Sequence, residues 1–331
     1  MINILILSVG RRVELVNCFK AARDRLKIDG MIVAGDASEL APALYFADKK
    51  VIFPRIDSGK YIEAVIETCL ENEIDLIVPT IDTELIILAE NKREIEERTR
   101  ARLLVSELPV INICRNKINT QRFMEDKGFK VPHLYSMEEI ENNKESYPLF
   151  IKPVDGSSSI DTYKVDKRED LKAVLNMVKE PMIQDYMEGE EYTIDVFLDF
   201  DSRLITAVAR LRLATRSGEI AKGKIVKDEE ILSDVKRLME TLKPIGHITV
   251  QCRKTKRGVE YIEINPRFGG GAPMSIEAGA DSCENLYRLL RGEKLSYNEN
   301  YKSDLTFLRF DSSIVLDEEL KVLKRSDGEL I

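Results

Sequence analysis

The stretch Tyr261-Ile262-Glu263-Ile264-Asn265-Pro266-Arg267 runs directly into Phe268 and three glycines, Gly269 to Gly271. An alternating β-branched run puts Glu263 and Asn265 on one face of a strand, because strand side chains repeat every two residues. A carboxylate beside an amide oxygen is a pair of hard ligands suited to Mg²⁺ that also binds phosphate. Pro266 ends the strand, Arg267 adds a planar fork of donors, and glycines let an oxyanion approach the backbone. These features predict a metal–phosphate site; the competing reading is a solvated edge strand followed by a turn.

Other stretches carry related chemistry. Lys152 ends an apolar strand and enters the loop Pro153-Val154-Asp155-Gly156-Ser157-Ser158-Ser159. Such a loop exposes N–H groups and hydroxyls that wrap phosphate oxygens, with the lysine as a point charge. The run Gln184-Asp185-Tyr186 leaves a strand with backbone groups that can read an adenine edge, and Glu191 can accept ribose hydroxyls. Gly218 to Lys224 matches a Walker A pattern until Ile225 and lacks the strand and helix that should flank one. It reads instead as a flexible basic loop, offering Arg210, Arg212, Arg216, Lys222 and Lys224 to phosphates or an anionic substrate. Two histidines, His133 and His247, sit in apolar sequence settings and read as structural.

Composition narrows the function classes. A chain of 331 residues can hold two or three domains with sizeable cores. Its 44% hydrophobic and 33% charged residues are those of a soluble globular protein. A formal charge of −8 argues against general nucleic-acid binding, so local basic clusters serve a small anion or nothing. Five widely spaced cysteines with no CxxC pair point to reduced, buried thiols in a cytoplasmic protein. The apolar start reaches Arg11 and Arg12 quickly and reads as a buried strand, neither a signal peptide nor a membrane span.

The elements that must position these residues fall into two regimes. Up to about residue 105, strands (Ile4–Ser8, Met31–Ala34, Lys50–Phe53, Leu76–Pro79) alternate with helices (Arg12–Leu26, Tyr61–Glu71, Thr83–Arg98). That order predicts a parallel sheet whose ligand edge lies at the strand C-termini, near Ser8–Arg12, Asp36 and Pro79–Asp82. The first loop has one glycine, which undercuts dinucleotide binding; a small anion held by Arg11 or Arg12 at the helix N-terminus is open. From Asn116 onward the pattern is a helix over Lys117–Lys127, a polar linker over 138–145, and the strand Leu149–Lys152. A helix around Leu171–Lys179 follows, then an antiparallel meander with helices over Glu230–Leu242 and Gly279–Leu290, and a polar tail with one strand near Leu305–Phe310.

Arg115-Asn116-Lys117, Phe150-Ile151-Lys152-Pro153 with its Gly/Ser loop, Gln184 through Glu191, and Glu263–Arg267 occur in the order and spacing of one superfamily. Over nearly its whole length the chain resembles the ATP-grasp proteins. Ser8–Arg12 and Asn265–Gly271 are most similar to single-copy proteins like the carbamoyl-phosphate synthase large subunit. The resemblance implies an α/β and α+β fold: a Rossmann-like parallel sheet (pre-ATP-grasp) over residues 1–113, then a two-lobed ATP-grasp domain. The small lobe spans 114–185, and the large lobe with a C-terminal tail spans 186–331. It implies that Lys117, Lys152 and Ser157, Ser158 and Ser159 bind ATP phosphates, that Gln184, Asp185 and Tyr186 read adenine, and that Glu191 binds ribose. Gln251, Glu263 and Asn265 would hold Mg²⁺ or Mn²⁺, and Arg267, Lys152 and Asn265 would be catalytic. Arg11, Asp82, Arg212 and Gly270 would face the substrate.

The implied activity is ligation of a small carboxylate to an amine through an acyl-phosphate, releasing ADP and phosphate. The alternatives are phosphorylation of carbamate or another carboxylate without ligation, and a nucleotide-binding regulatory protein without turnover. The expected partners are small molecules and a second copy of the chain in a homodimer, with no nucleic acid and no membrane.

Overall fold

The computed structural model describes residues 1–154 and 161–325. The first layer comprises β1 (Ile4–Ile6), α1 (Val13–Arg25), β2 (Ile32–Asp36), β3 (Lys49–Ile52), α2 (Tyr61–Glu71) and β4 (Leu76–Val78). It closes with α3 (Leu85–Glu90), α4 (Lys92–Thr99) and β5 (Arg102–Leu103). Every residue of β1 and β4 is buried, as strands covered on both faces must be. The sheet is parallel with order β3-β2-β1-β4-β5, as its βαβ pattern predicts. The order reverses at β1, so a crevice opens outside the C-terminal ends of β1 and β4. The helix expected over Thr83–Arg98 is broken at Asn91, whose amide donates to the Ile87 carbonyl at 2.7 Å and competes with the helical ladder.

Next come α5 (Leu108–Arg115), which the sequence reading lacks, and α6 (Lys117–Asp126), which ends one residue before the expected Lys127. Pro109 in the first turn starts α5, where its missing N–H costs nothing. The Asn116 side chain accepts from the Ile118 and Asn119 N–H groups, both at 3.0 Å, and caps α6. Gly128 (φ +73°) ends that helix in a Schellman arrangement, with Phe129 N–H bonded to the Met124 carbonyl. Cys114, Met124 and Phe129 enter the core beneath the large sheet.

A second, antiparallel sheet has order β6-β9-β7-β8. It is built from β6 (Leu134–Tyr135), α7 (Met137–Glu141), β7 (Leu149–Pro153), β8 (Tyr163–Val165), α8 (Arg168–Met177) and β9 (Pro181–Asp185). The stretch expected to be a linker opens with α7, started by a capping box between Ser136 and Glu139. His133 is not in an apolar setting: its side chain is 51% exposed and bonds Glu139 at 3.2 Å.

The large antiparallel sheet has order β14-β13-β10-β11-β12-β15. Its elements are β10 (Glu190–Leu198), β11 (Leu204–Arg216), β12 (Glu219–Val226), α9 (Glu229–Leu242), β13 (Gly246–Thr255) and β14 (Gly258–Asn265). They continue with α10 (Ala272–Glu277), α11 (Ser282–Leu290) and β15 (Thr306–Leu308), and a terminal hairpin adds β16 (Ile314–Leu316) and β17 (Val322–Arg325). Ile231, Val235, Leu238, Met239 and Leu242 form the helical stripe that α9 buries against one face of the sheet. The supposed flexible basic loop is a tight hairpin: Ser217 (φ 50°) and Gly218 (φ +75°) supply the left-handed pair that joins β11 to β12. Phe197, Phe268, Ile276 and Tyr287 pack with Phe19 and β1, so the first and large sheets share a core. Among the described residues no helix is long and apolar enough to cross a membrane.

Candidate active site

The face of the large sheet opposite α9 is polar in registered rows. Arg210 on β11, Thr193 on β10, Gln251 on β13 and Glu263 on β14 are successive cross-strand neighbours. Asp195, Thr249 and Asn265 form the next row. The period of two therefore brings Glu263 and Asn265 to one face, where both touch: the Asn265 amide donates to Glu263 Oε1 at 2.8 Å. The Gln251 amide donates to the same oxygen at 2.9 Å. One carboxylate with two amide carbonyls fits Mg²⁺ that takes its remaining oxygens from phosphate and water. Among the described residues no group of three or more His, Cys, Asp and Glu could form a protein-only metal cage.

β14 hands directly to Arg267 and the glycines. Arg267 donates from Nε (3.1 Å) and Nη2 to one oxygen of Asp82, on the loop after β4, tying the two sheets together across the crevice. The three glycines sit where side chains already crowd in. A Cβ on Gly269 would meet Thr249 Oγ1 at 2.7 Å, one on Gly270 the Glu219 carboxylate at 2.8 Å, and one on Gly271 the Arg210 guanidinium. Behind them lies a buried polar cluster. Asp195 accepts from Arg210 Nε at 2.6 Å and Nη2 at 3.0 Å and from Ser275 Oγ at 2.5 Å, and its Oδ1 lies 3.4 Å from His247 Nε2. His247 stacks on Phe268 with centroids 4.3 Å apart. Although this site is fully buried, the positive neighbours, Arg210 first, hold the Asp195 carboxyl well below the usual carboxylate range.

The crevice at the strand-order reversal faces this loop. Glu84, fully buried, accepts from Ser8 Oγ (2.6 Å), Tyr61 Oη (2.7 Å) and the Thr80 N–H (2.9 Å), pinning the loops after β1 and β4. Burial pushes its carboxyl above the ordinary value, opposed by these donors. Between the pinned loops and the polar sheet is a cleft of about 1030 Å³. Asp82, Arg212 and Gly270 line it, as do Gln251, Glu263, Asn265 and Arg267. Arg11 does not: it is 85% exposed and pairs with Asp311 at 3.6 Å. The adjacent Arg12 takes its place, because it caps α1 and turns towards the cleft. Of the supposed basic loop, Arg210 and Arg212 reach the cleft, whereas Arg216 pairs with Asp311 and Lys224 with Asp304 at the surface.

The expected nucleotide residues lie towards the small sheet. Lys117 Nζ donates to the Val154 carbonyl at 3.1 Å. Lys152 is buried and, among the described residues, makes no ion pair; Glu263 and Lys117 are its charged neighbours. Burial lowers its pKa to about 8, partly offset by Glu263 and reinforced by Lys117. The N–H groups of Asp185 and Tyr186, expected to read adenine, are instead bonded to the His133 and Pro148 carbonyls, both at 3.0 Å. Gln184 is buried mid-strand, and Glu191 is bracketed by Arg212 (3.0 Å) and Arg253 (2.8 Å), so ribose would have to share it. Ser157, Ser158 and Ser159 lie outside the described residues.

Lys152→Met should separate folding from function. A pKa lowered from 10.5 to about 8 corresponds to up to about 3 kcal/mol of burial cost. That cost is fully present below the folded pKa and fades towards the unfolded one, so the variant should melt higher at pH 7 and gain little near pH 10. It should lose ATP binding, and wild-type ATP affinity should fall as pH rises through about 8. Thermal unfolding and nucleotide titration at both pH values check this.

Glu219 and Thr193 line the cleft without having been singled out in the sequence, and Arg210 and His247, read there as a loop cation and a structural histidine, join Asp195 in one buried cluster. All five cysteines are buried and unbridged, and burial pushes Cys18 and Cys69 up to about 12, which excludes a thiolate nucleophile at neutral pH from either.

Comparison with known proteins shows what the chain is similar to in sequence and in fold. A family profile described as "PylC-like, N-terminal domain" matches residues 4–100. Another, "ATP-grasp in the biosynthetic pathway with Ter operon", matches residues 177–310. The chain is 26% identical over 281 residues to D-alanine–D-alanine ligase B of Clostridium perfringens, spanning 76% of this chain and 92% of that one. It is 25% identical over 167 residues to a carbamoyl-phosphate synthase of Methanobrevibacter smithii, spanning 49% of this chain and 44% of that enzyme. Its fold is similar to the biotin carboxylase domain of Hydrogenobacter thermophilus 2-oxoglutarate carboxylase, solved with MgADP, ADP and bicarbonate. The TM-score is 0.71 at 16% identity, covering 92% of this chain and 73% of that one.

Proposed function

The chain is an ATP-grasp protein, and we propose that it uses ATP and Mg²⁺ to activate a small carboxylate as an acyl-phosphate and join it to an amine. The observation that carries this reading is the Glu263 carboxylate held between the Gln251 and Asn265 amides, on the strand that ends at Arg267 and the three-glycine loop. Likeness to a ligase that joins two D-alanines supports the same reaction type.

In this reading Lys117 and Lys152 hold the triphosphate. Mg²⁺ on Glu263 and Asn265, with Gln251 beside them, would neutralise phosphate charge. A carboxylate oxygen attacks the γ-phosphorus, the bond to the bridging oxygen breaks, and ADP leaves. Arg267 faces the charge that develops, where a fixed guanidinium is worth most because it needs no reorganisation. The amine nitrogen then attacks the acyl carbon, the C–O bond to phosphate breaks, and inorganic phosphate departs. The proton released from nitrogen passes to a carboxylate of the cleft, of which Asp82 is the one bonded to Arg267. No covalent protein nucleophile is required; positioning and charge neutralisation supply the rate.

A coupled ADP-release screen of carboxylates against amines, with mass spectrometry of products, tests the proposal. ADP and phosphate should appear in equal amounts when both substrates are present. Intact ATP binding with no ADP release across the panel would leave the regulatory reading instead. The carbamoyl-phosphate synthase relative supports a second reading, phosphorylation without ligation. It requires ADP release without amine and an acyl-phosphate that hydroxylamine traps.

A further inference from the structure

Among the described residues the Arg12 guanidinium, in the wall of the cleft, makes no hydrogen bond or ion pair. The charged groups that act on it are Arg267, Glu219, Asp82 and Arg309, and they are already spent on one another. Arg267 is paired with Asp82, and Arg309 with Glu219 at 3.2 Å. Glu14, the carboxylate in the first turn of α1, lies 3.5 Å from Arg309. None of these carboxylates pairs directly with Arg12, so among the described residues its guanidinium lines the cleft without a hydrogen-bonded counter-ion. Arg12 is partly buried, and burial lowers its pKa to about 10, still charged at neutral pH. A partly buried charge with no direct hydrogen-bonded partner is costly to keep and favours an anionic ligand that pairs with it. Arg115 repeats the pattern in the same cleft: its Nε is buried with no hydrogen-bond partner.

We propose that Arg12 is a specificity site for a second anionic group on the substrate, separate from the carboxylate that is activated. This rests on the ligase reading of the cleft and narrows its substrate class to acids carrying at least two negative groups. A guanidinium fork takes a carboxylate or a phosphate in two parallel hydrogen bonds. The first-turn N–H groups of α1 follow Arg12 directly and have no side-chain cap, so the helix end favours the same sign of charge. A monocarboxylic acid seated at Arg267 and the glycines would leave the Arg12 guanidinium without a hydrogen-bonding partner. A diacid or a phosphorylated acid of suitable length would not.

Thermal unfolding of the full chain with succinate or inorganic phosphate, followed by the ADP-release assay, tests the site. Wild type should melt higher with at least one of these anions, and Arg12→Gln should lose that response while melting higher than wild type in its absence. In the assay, diacids or phosphorylated acids should exceed the matching monoacid at least tenfold in kcat/KM. Preference for diacids assigns a carboxylate to Arg12, and preference for phosphorylated acids assigns a phosphate. Arg12→Gln should raise KM for the dianion at least tenfold with kcat little changed, and Arg12→Lys should recover part of the loss. The site is overturned if neither anion moves the wild-type melting point, or if Arg12→Gln leaves KM for the preferred acid unchanged. Should no acid–amine pair release ADP while the anion response still disappears in Arg12→Gln, the ligase reading fails and the anion site stands.

Discussion

Glu263→Gln is expected to lower kcat by about 10³-fold or more while leaving the fold intact, a loss of the size seen when charge stabilisation is removed from a phosphoryl-transfer site. Gln keeps the side-chain length and volume, and its carbonyl oxygen can still accept from Asn265 and Gln251, which now bond Glu263 Oε1 at 2.8 and 2.9 Å. What it removes is the one negative charge in a set whose other members are amides. A hard divalent cation gains most of its protein-derived attraction from that charge. The melting temperature should therefore change little, and ATP should still bind through Lys117 and Lys152. The specific signature is loss of the Mg²⁺ dependence of ATP affinity. Measuring kcat, melting temperature, and ATP affinity with and without Mg²⁺ distinguishes this from general damage. Turnover within tenfold of wild type would mean that Glu263 holds no metal.

Features that repeat locally were legible in the sequence, and features made by distant partners were not. Glu263 and Asn265 could be placed together because two residues apart on a strand means the same face, and the structure joins them by a hydrogen bond. The parallel sheet and its ligand edge were readable because βαβ order and strand polarity determine where a strand-order reversal opens. Arg12 and Arg11 are adjacent arginines of identical type, so composition could not choose between them. The cap position at α1 decides it, sending Arg12 to the cleft and Arg11 to solvent. The glycine run looked like an oxyanion floor, yet its local requirement is contact with Thr249, Glu219 and Arg210, residues 20 to 61 positions away. The hairpin at Ser217-Gly218 was mistaken for a flexible loop because its basic residues masked a two-residue turn signal. His247 resembled an apolar-core residue, since its partners Asp195 and Ser282 come from other elements.

That last cluster carries the largest expected effect on stability. Asp195→Asn should destabilise the protein by about 3–5 kcal/mol, the cost of stranding a buried charge by removing its partner. Arg210 and Asp195 are respectively 1% and 3% exposed, so no water can replace the lost carboxylate. Because its positive neighbours, Arg210 first, outweigh burial and leave the Asp195 carboxyl well below the usual carboxylate range, its contribution is fully present above the unfolded pKa. It is lost only as pH falls through the depressed folded pKa. The difference in stability between wild type and variant should therefore stay constant from pH 7 to about pH 5 and narrow only in stronger acid. Replacing both partners, Asp195→Leu with Arg210→Met, should recover part of the stability, because apolar residues of similar volume avoid the stranded charge. It should not recover activity. Gly271 packs on the Arg210 guanidinium and Ser275 of α10 bonds Asp195, so the pair is the backing of the glycine loop as well as a buried contact. Chemical denaturation of the three variants, read beside turnover at a temperature where all are folded, separates the two roles. If the double replacement restored turnover together with stability, the cluster would be a fold determinant alone and the loop would need no charged support.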